Sequence, residues 1–190
     1  MKSLFVTLIL LLTLGNVYAQ TSIEETFNNY IREKNNTAAF ETLRDNEVKG
    51  EQDISIVNTY INLIREYQKA FPQCSTEQFK ITGDECMNKA VHHSFISVIF
   101  LPQAFDTRAR IKFKKEDYFG AISDWNEAIG LINKSKEASL SAEYYYNKGI
   151  AQWNLHQYQN ACLSMSKSGE LGFEDAYTFI KDKCNKTRLQ

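Results

Sequence analysis

Proline and glycine are scarce. The chain has 2 Pro and 8 Gly among 190 residues, too few to punctuate a sandwich or barrel that needs a turn roughly every 8–12 residues. Charge of one sign is lacking too: 22 Lys+Arg stand against 23 Asp+Glu, a formal net charge of −1, which excludes an overall basic footprint for nucleic acid. After the first 19 residues no apolar run suits the ~30 Å of a bilayer core; the best candidate, Phe95 to Leu101, has only seven residues. A glycine-rich phosphate loop, a serine elbow and a paired-carboxylate motif are all missing, so no enzyme class is indicated. Apolar residues nevertheless make up 43% and aromatics 13% of the chain, more than a segment without a core carries. A folded, helical chain is expected.

The first 19 residues read as a leader. Lys2 supplies a basic start, Leu4 to Leu14 an apolar stretch, and Val17-Tyr18-Ala19 a small-residue exit, which predicts cleavage before Gln20. About eleven apolar residues are too few for a comfortable membrane anchor, and no Cys follows the cleavage site to carry a lipid. Loss of Lys2 with the leader moves the formal charge from −1 to −2. The remaining chain is expected to be exported, periplasmic or secreted, without stable membrane insertion. Cys74, Cys86, Cys162 and Cys184 all lie beyond the leader, and an even number in an oxidising compartment favours disulfides. Four thiols allow three pairings; proximity favours Cys74 with Cys86 and Cys162 with Cys184.

Hydrophobic spacing predicts helices throughout. Ile23, Phe27, Tyr30 and Ile31 recur at helical intervals, and Phe40 with Leu43 continues in a second short segment. Ile54, Val57, Ile61, Ile64 and Phe71 form a long stripe flanked by Tyr60, Leu63 and Tyr67, a wide apolar face that asks to be buried. Pro72 ends that helix, and Gln73 to Asp84 reads as a loop. Met87, Val91, Phe95 and Val98 begin another helix, with Pro102 in the first turn of the next.

An internal repeat follows, with an offset of 40. It sets Phe105 on Tyr145, Ala109 on Gly149, Phe113 on Trp153, Tyr118 on Tyr158, Ala121 on Ala161, Trp125 on Met165, Ala128 on Ser168 and Leu131 on Leu171. Small residues where two helices touch, with bulky ones on either side, are what a helical hairpin needs. Both units resemble tetratricopeptide repeats. Asp117-Tyr118-Phe119-Gly120-Ala121-Ile122 followed by Trp125 and Ala128 is similar to the turn and second helix of that family, and Tyr145-x2-Lys148-Gly149 to its first-helix signature, with Lys148 in place of Leu. Met165 and Ser168 depart from the second-helix pattern, and Asn133 and Phe173 stand where the family has Pro. An enlarged connection at about Asn133 to Ser141 accounts for an offset beyond the family's period of roughly 34 residues. Glu174 to Cys184 reads as the helix capping the stack, and its phrasing resembles the endings of exported bacterial repeat proteins of this type.

The resemblance implies an all-α fold: a short α-α superhelix, or TPR-like solenoid, with an irregular helical N-terminal part and a C-terminal capping helix. The expected organisation is a leader at 1–19, a helical region at 20–101 closing the stack, and two repeats at about 102–135 and 142–175 within 102–190. The helices at about 53–71 and 85–101 would close the other end, as a degenerate repeat split by a cysteine-bounded loop. In repeats of this kind the first helix of each hairpin lines the concave face. That points to Asp106, Arg110 and Lys114 in the first unit and Tyr146, Ile150, Trp153 and Asn154 in the second as contacts for a protein or peptide partner. A carboxylate clamp of the family's chaperone type is not expected, because Asp106 and Tyr146 occupy places where it needs basic or polar residues, although Asn147 matches one of its positions.

Other constellations carry less. Cys86 and His93 are seven residues apart, ~10.5 Å along a helix, while metal ligands on one helix need spacings of three or four, so neither a metal nor another cofactor is expected. One of His92 and His93 is expected at the surface and the other partly packed. His156 and Cys162 face different sides, which argues against a thiol nucleophile. Arg108, Arg110, Lys112, Lys114 and Lys115 form the one strong charge cluster, read as a solvated helix face or as a surface for an acidic partner. Three sequons, Asn35-Asn36-Thr37, Asn133-Lys134-Ser135 and Asn185-Lys186-Thr187, matter only where such sites are glycosylated. The sequence therefore favours a non-enzymatic interaction module or assembly scaffold. The alternatives are a structural subunit docking through its N-terminal helices and a metal-binding or thiol enzyme using His92, His93 and the cysteines.

Overall fold

A computed structural model describes residues 23–46, 53–134 and 138–185. The expected leader and its cleavage point lie outside these residues. The described chain is all-α. Its helices are α1 (23–32), α2 (Asn36–Asp45), α3 (Ile54–Ala70), α4 (Thr76–Ile81), α5 (Gly83–Phe95), α6 (Leu101–Lys114), α7 (Tyr118–Lys134), α8 (Ala142–Asn154), α9 (Tyr158–Glu170) and α10 (Asp175–Phe179). None of them is long and apolar enough to cross a membrane.

Helix starts follow the local chemistry. Asn35 Oδ1 accepts from Ala38 N, Asp53 Oδ1 from Ser55 N, and Asp117 Oδ1 from Gly120 N, each satisfying an amide that the helix leaves unpaired. Ser75 and Gln78 form a reciprocal capping box that opens α4 inside the segment expected to be a loop. Pro102 lies in the first turn of α6, as its spacing predicts, yet the backbone does not break there. A π-helical turn, Ile96–Phe100, joins α5 to α6, with Leu101 N–H bonded to Ile96 O. The wider turn accommodates a residue that has no N–H and crowds the preceding carbonyl.

Helices pack as successive hairpins, α6 against α7 and α8 against α9, with α7 against α8 between them. The two hairpins share one turn at the offset of 40. Glu116 and His156 both adopt positive φ, 62° and 59°, and their amides bond Phe113 O and Trp153 O, each at 2.9 Å. The residues that follow, Asp117 and Gln157, bond Lys112 O and Gln152 O. Lys34, at φ 57°, joins α1 to α2 through the same pattern, its amide bonding Ile31 O and that of Asn35 bonding Tyr30 O. Ala39 stands five residues beyond this turn residue, as Ala121 and Ala161 do beyond theirs, and all three are fully buried. Within the N-terminal part, the hairpin that shares the turn of the repeats is thus α1–α2.

The core follows from this packing. One cluster runs from Phe27, Leu43, Val57, Ile61, Ile64 and Tyr67 through Phe105 to Ala128, tying the N-terminal helices to the first hairpin. A second joins Ala109, Ala121, Trp125 and Ala151. The α3 stripe is buried as its width requires, whereas α5 buries a face that does not carry its apolar spacing. Cys86, His92, His93, Ile96 and Phe100 point inward, while Met87, Val91 and Phe95 are 53%, 44% and 44% exposed. Neither histidine is at the surface. Disulfides join Cys74 to Cys86 and Cys162 to Cys184, with Cα separations of 5.5 and 5.7 Å. The first fastens α4 and its approach to α5; the second fastens the C-terminal turn to α9.

Candidate functional site

A groove of about 300 Å³ opens between α6 and α8, lined by Arg110, Phe113, Lys114, Trp125, Asn147 and Ile150. Three of the expected contact residues, Arg110, Lys114 and Ile150, meet here, and Asn147 joins them. The groove lies beside the closest helix contacts because the residues at those contacts are small. Ala109, Ala121, Ala151 and Ala161 are fully buried, and a Cβ at Gly149 would stand 2.9 Å from Met165 Cε and 3.3 Å from Ala161 O. Short side chains draw the helices together, and Phe113, Trp125 and Ile150 floor what remains open.

Asp106 is placed differently from its expectation. It is only 7% exposed, and both carboxylate oxygens are taken: Trp125 Nε1 donates to Oδ1 at 2.7 Å and Arg110 Nε to Oδ2 at 2.8 Å. Burial pushes its carboxyl above the usual carboxylate range, against the hydrogen bond from Trp125 and the charge of Arg110. Its role is to hold Arg110, which also pairs with Glu143 Oε1 at 2.7 Å and so links α6 to α8 across the groove. A one-helix view misses Glu143, because its partner lies 33 residues away.

Part of the basic cluster is likewise built into the fold: Arg108, Arg110 and Lys112 pair with carboxylates, while Lys114 and Lys115 stand exposed as a solvated face would. Asp124, 2% exposed, receives Arg108 through two nitrogens at 2.9 and 2.7 Å and Lys112 at 2.8 Å, and Arg108 reaches Asn58 on α3 as well. The same place in the second hairpin holds a neutral counterpart, Ser164 Oγ donating to Gln152 Oε1 at 2.7 Å. Both pairs lie at the offset of 40, an equivalence hidden by the change from charge to amide and hydroxyl.

In the second unit, Tyr146 packs at a tilt against Phe173 with ring centroids 4.9 Å apart, and Trp153 packs against Tyr158 and edge-on against Phe179. Both stay partly accessible while seating the C-terminal helix. Asn154 is exposed at the end of α8, its amide bonded to Ile150 O. A larger hollow of about 760 Å³ lies over the Cys162–Cys184 bridge, with Tyr158, Leu163 and Ile180 in its wall. It gathers none of the expected contact residues and no charged side chain.

The groups that invited chemical readings are otherwise engaged. All four cysteines are in disulfides. His92 and His93 are buried, and among the described residues no group of three or more His, Cys, Asp or Glu is placed to hold a metal ion. No family model and no curated protein matches this chain.

Proposed function

We propose that the chain is an exported, non-enzymatic interaction protein of the tetratricopeptide-repeat type, whose hairpins hold a segment of a protein partner against the groove between α6 and α8. The observation that carries this reading is the convergence of Arg110, Lys114, Asn147 and Ile150 on one open groove floored by aromatic rings. Cations and an amide around an apolar floor suit a peptide backbone and side chain, and stacked hairpins present such a surface rigidly. The common turn, the buried small residues and the offset of 40 support the repeat assignment. Two disulfides support an oxidising compartment, and with it export.

Affinity capture from the native envelope, with the unaltered chain and with Lys114→Glu, Asn147→Ala and Ile150→Ser together, tests this reading. A partner retained by the unaltered chain and lost by the triple variant is the expected result; equal retention would end the groove assignment.

One observation favours a second reading, a structural subunit that docks through its N-terminal helices. Met87, Val91, Phe95 and Ile99 form an exposed apolar stripe at intervals of four along one continuous helix. Under this reading Val91→Asp with Phe95→Ser abolishes capture, and the groove variant leaves it intact.

A further inference from the structure

Histidines are an odd choice for the inner face of α5. Where this helix meets α2 and α3, both adjacent histidines are buried. His93 Nε2 is hydrogen-bonded to Phe71 O at the end of α3. A carbonyl accepts from either the neutral or the charged ring, so that contact survives protonation. His92 is held differently. Its ring lies flat on Phe40 of α2, with centroids 3.9 Å apart and planes within 4°. Its Nδ1 shares a hydrogen bond of 3.1 Å with the Tyr67 hydroxyl of α3. Phe40 is in turn packed against Phe95 and Phe100. A charged imidazolium here would sit in an aromatic seam with one neutral partner.

We propose that this seam is a proton-operated latch: neutral His92 keeps α5 docked on the α2–α3 pair, and protonation of His92 releases it. The groups around the ring fit that sense. Tyr67 faces it from α3 and His93 flanks it on α5, while Glu41 on α2 is the carboxylate whose charge it feels among the described residues and is itself exposed. Burial lowers the affinity of His92 for a proton, Glu41 opposes this and His93 adds to it. Burial also pushes the Tyr67 hydroxyl up to about 12, as expected in a dry seam. Because the docked state takes up a proton less readily than the released state, closure is fully favoured above the ordinary histidine range. It weakens as pH falls below about 6.5, by up to tenfold per pH unit until the docked ring itself titrates. The Cys74–Cys86 bridge and the unbroken connection into α6 keep the released helix tethered at both ends. With Met87, Val91 and Phe95 already exposed, release adds the histidine-bearing inner face of α5 to the outer one.

Hydrogen exchange read by mass spectrometry at pH 7.5, 6.5 and 5.5, corrected for intrinsic rates, tests the latch on the full chain. The opening constant of peptides spanning 87–95 is expected to rise up to about fivefold between pH 6.5 and 5.5 and less than about twofold between 7.5 and 6.5, with α6 to α9 unchanged. His92→Phe keeps the stacking on Phe40 and is expected to flatten that rise. A rise of equal size in His92→Phe, or none in the unaltered chain, would overturn the proposal. An NMR titration of His92 in the unaltered chain gives a second reading that does not depend on the variant folding. A midpoint below 6.5 supports the latch, and one at or above 6.5 refutes it.

Discussion

Gly149 and Gly130 sit in helices of the same stack but in opposite surroundings. A Cβ on Gly149 would press on Met165 and on the backbone oxygen of Ala161, whereas one on Gly130 would meet nothing within 4 Å. Gly130→Ala should therefore gain about 0.5–1 kcal/mol from helix propensity alone. Gly149→Ala gains the same propensity but overpacks against a carbonyl that cannot step aside, and a net loss of about 1 kcal/mol is expected. Thermal unfolding of the two variants, shifted in opposite directions, checks both. Trp125 carries a different obligation, since its Nε1 is a donor to the buried Asp106. Trp125→Phe keeps an aromatic ring and removes that donor, so a loss of about 1–3 kcal/mol is expected in urea unfolding.

At the scale of elements, turns and disulfides decide how hairpins are joined. Glu116 and His156 hold a left-handed backbone that costs a non-glycine residue about 1 kcal/mol. Glu116→Gly is expected to stabilise by up to that amount, and Gly172→Ala, at φ 98°, to destabilise. The Cys162–Cys184 bridge closes a separation of 22 residues, for which about 3 kcal/mol is the order of the effect. Replacing both cysteines with serine should free the segment 175–184 to exchange while the α6–α9 hairpins stay protected. The hairpins were legible in the sequence because small residues at helix contacts repeat at a fixed offset. The matching α1–α2 turn was not, because Lys34 falls outside the offset of 40 that links Glu116 to His156. α4 was hidden between two cysteines that suggest a loop, its one signal being Ser75 followed three residues later by Gln78. The burial of both histidines was not legible, because Met87, Val91 and Phe95 outrank them on any hydrophobic scale and only the aromatic pocket of Phe40 and Tyr67 explains why His92 and His93 take the inner face.

For the whole molecule, one core continues from α1–α3 into the first hairpin, so the N-terminal helices and the repeats fold against each other rather than as beads. Arg108 crosses the same boundary, joining Asp124 on α7 to Asn58 on α3. The groove between α6 and α8 is consequently rigid at its floor, while its rim carries the longer side chains. The sequence indicated the groove through Arg110, Lys114 and Ile150; Glu143, which holds Arg110 from α8, became visible only once the helices were packed. The most direct test of the groove as the partner surface is site-specific photo-crosslinking in the native envelope. One chain carries the photoreactive residue at position 150, in the groove, and another at position 119, exposed on α7. A discrete crosslinked partner from position 150 and none from position 119 is expected. The same partner from 119 alone, or no crosslink from 150 in a chain that still captures the partner, would contradict it.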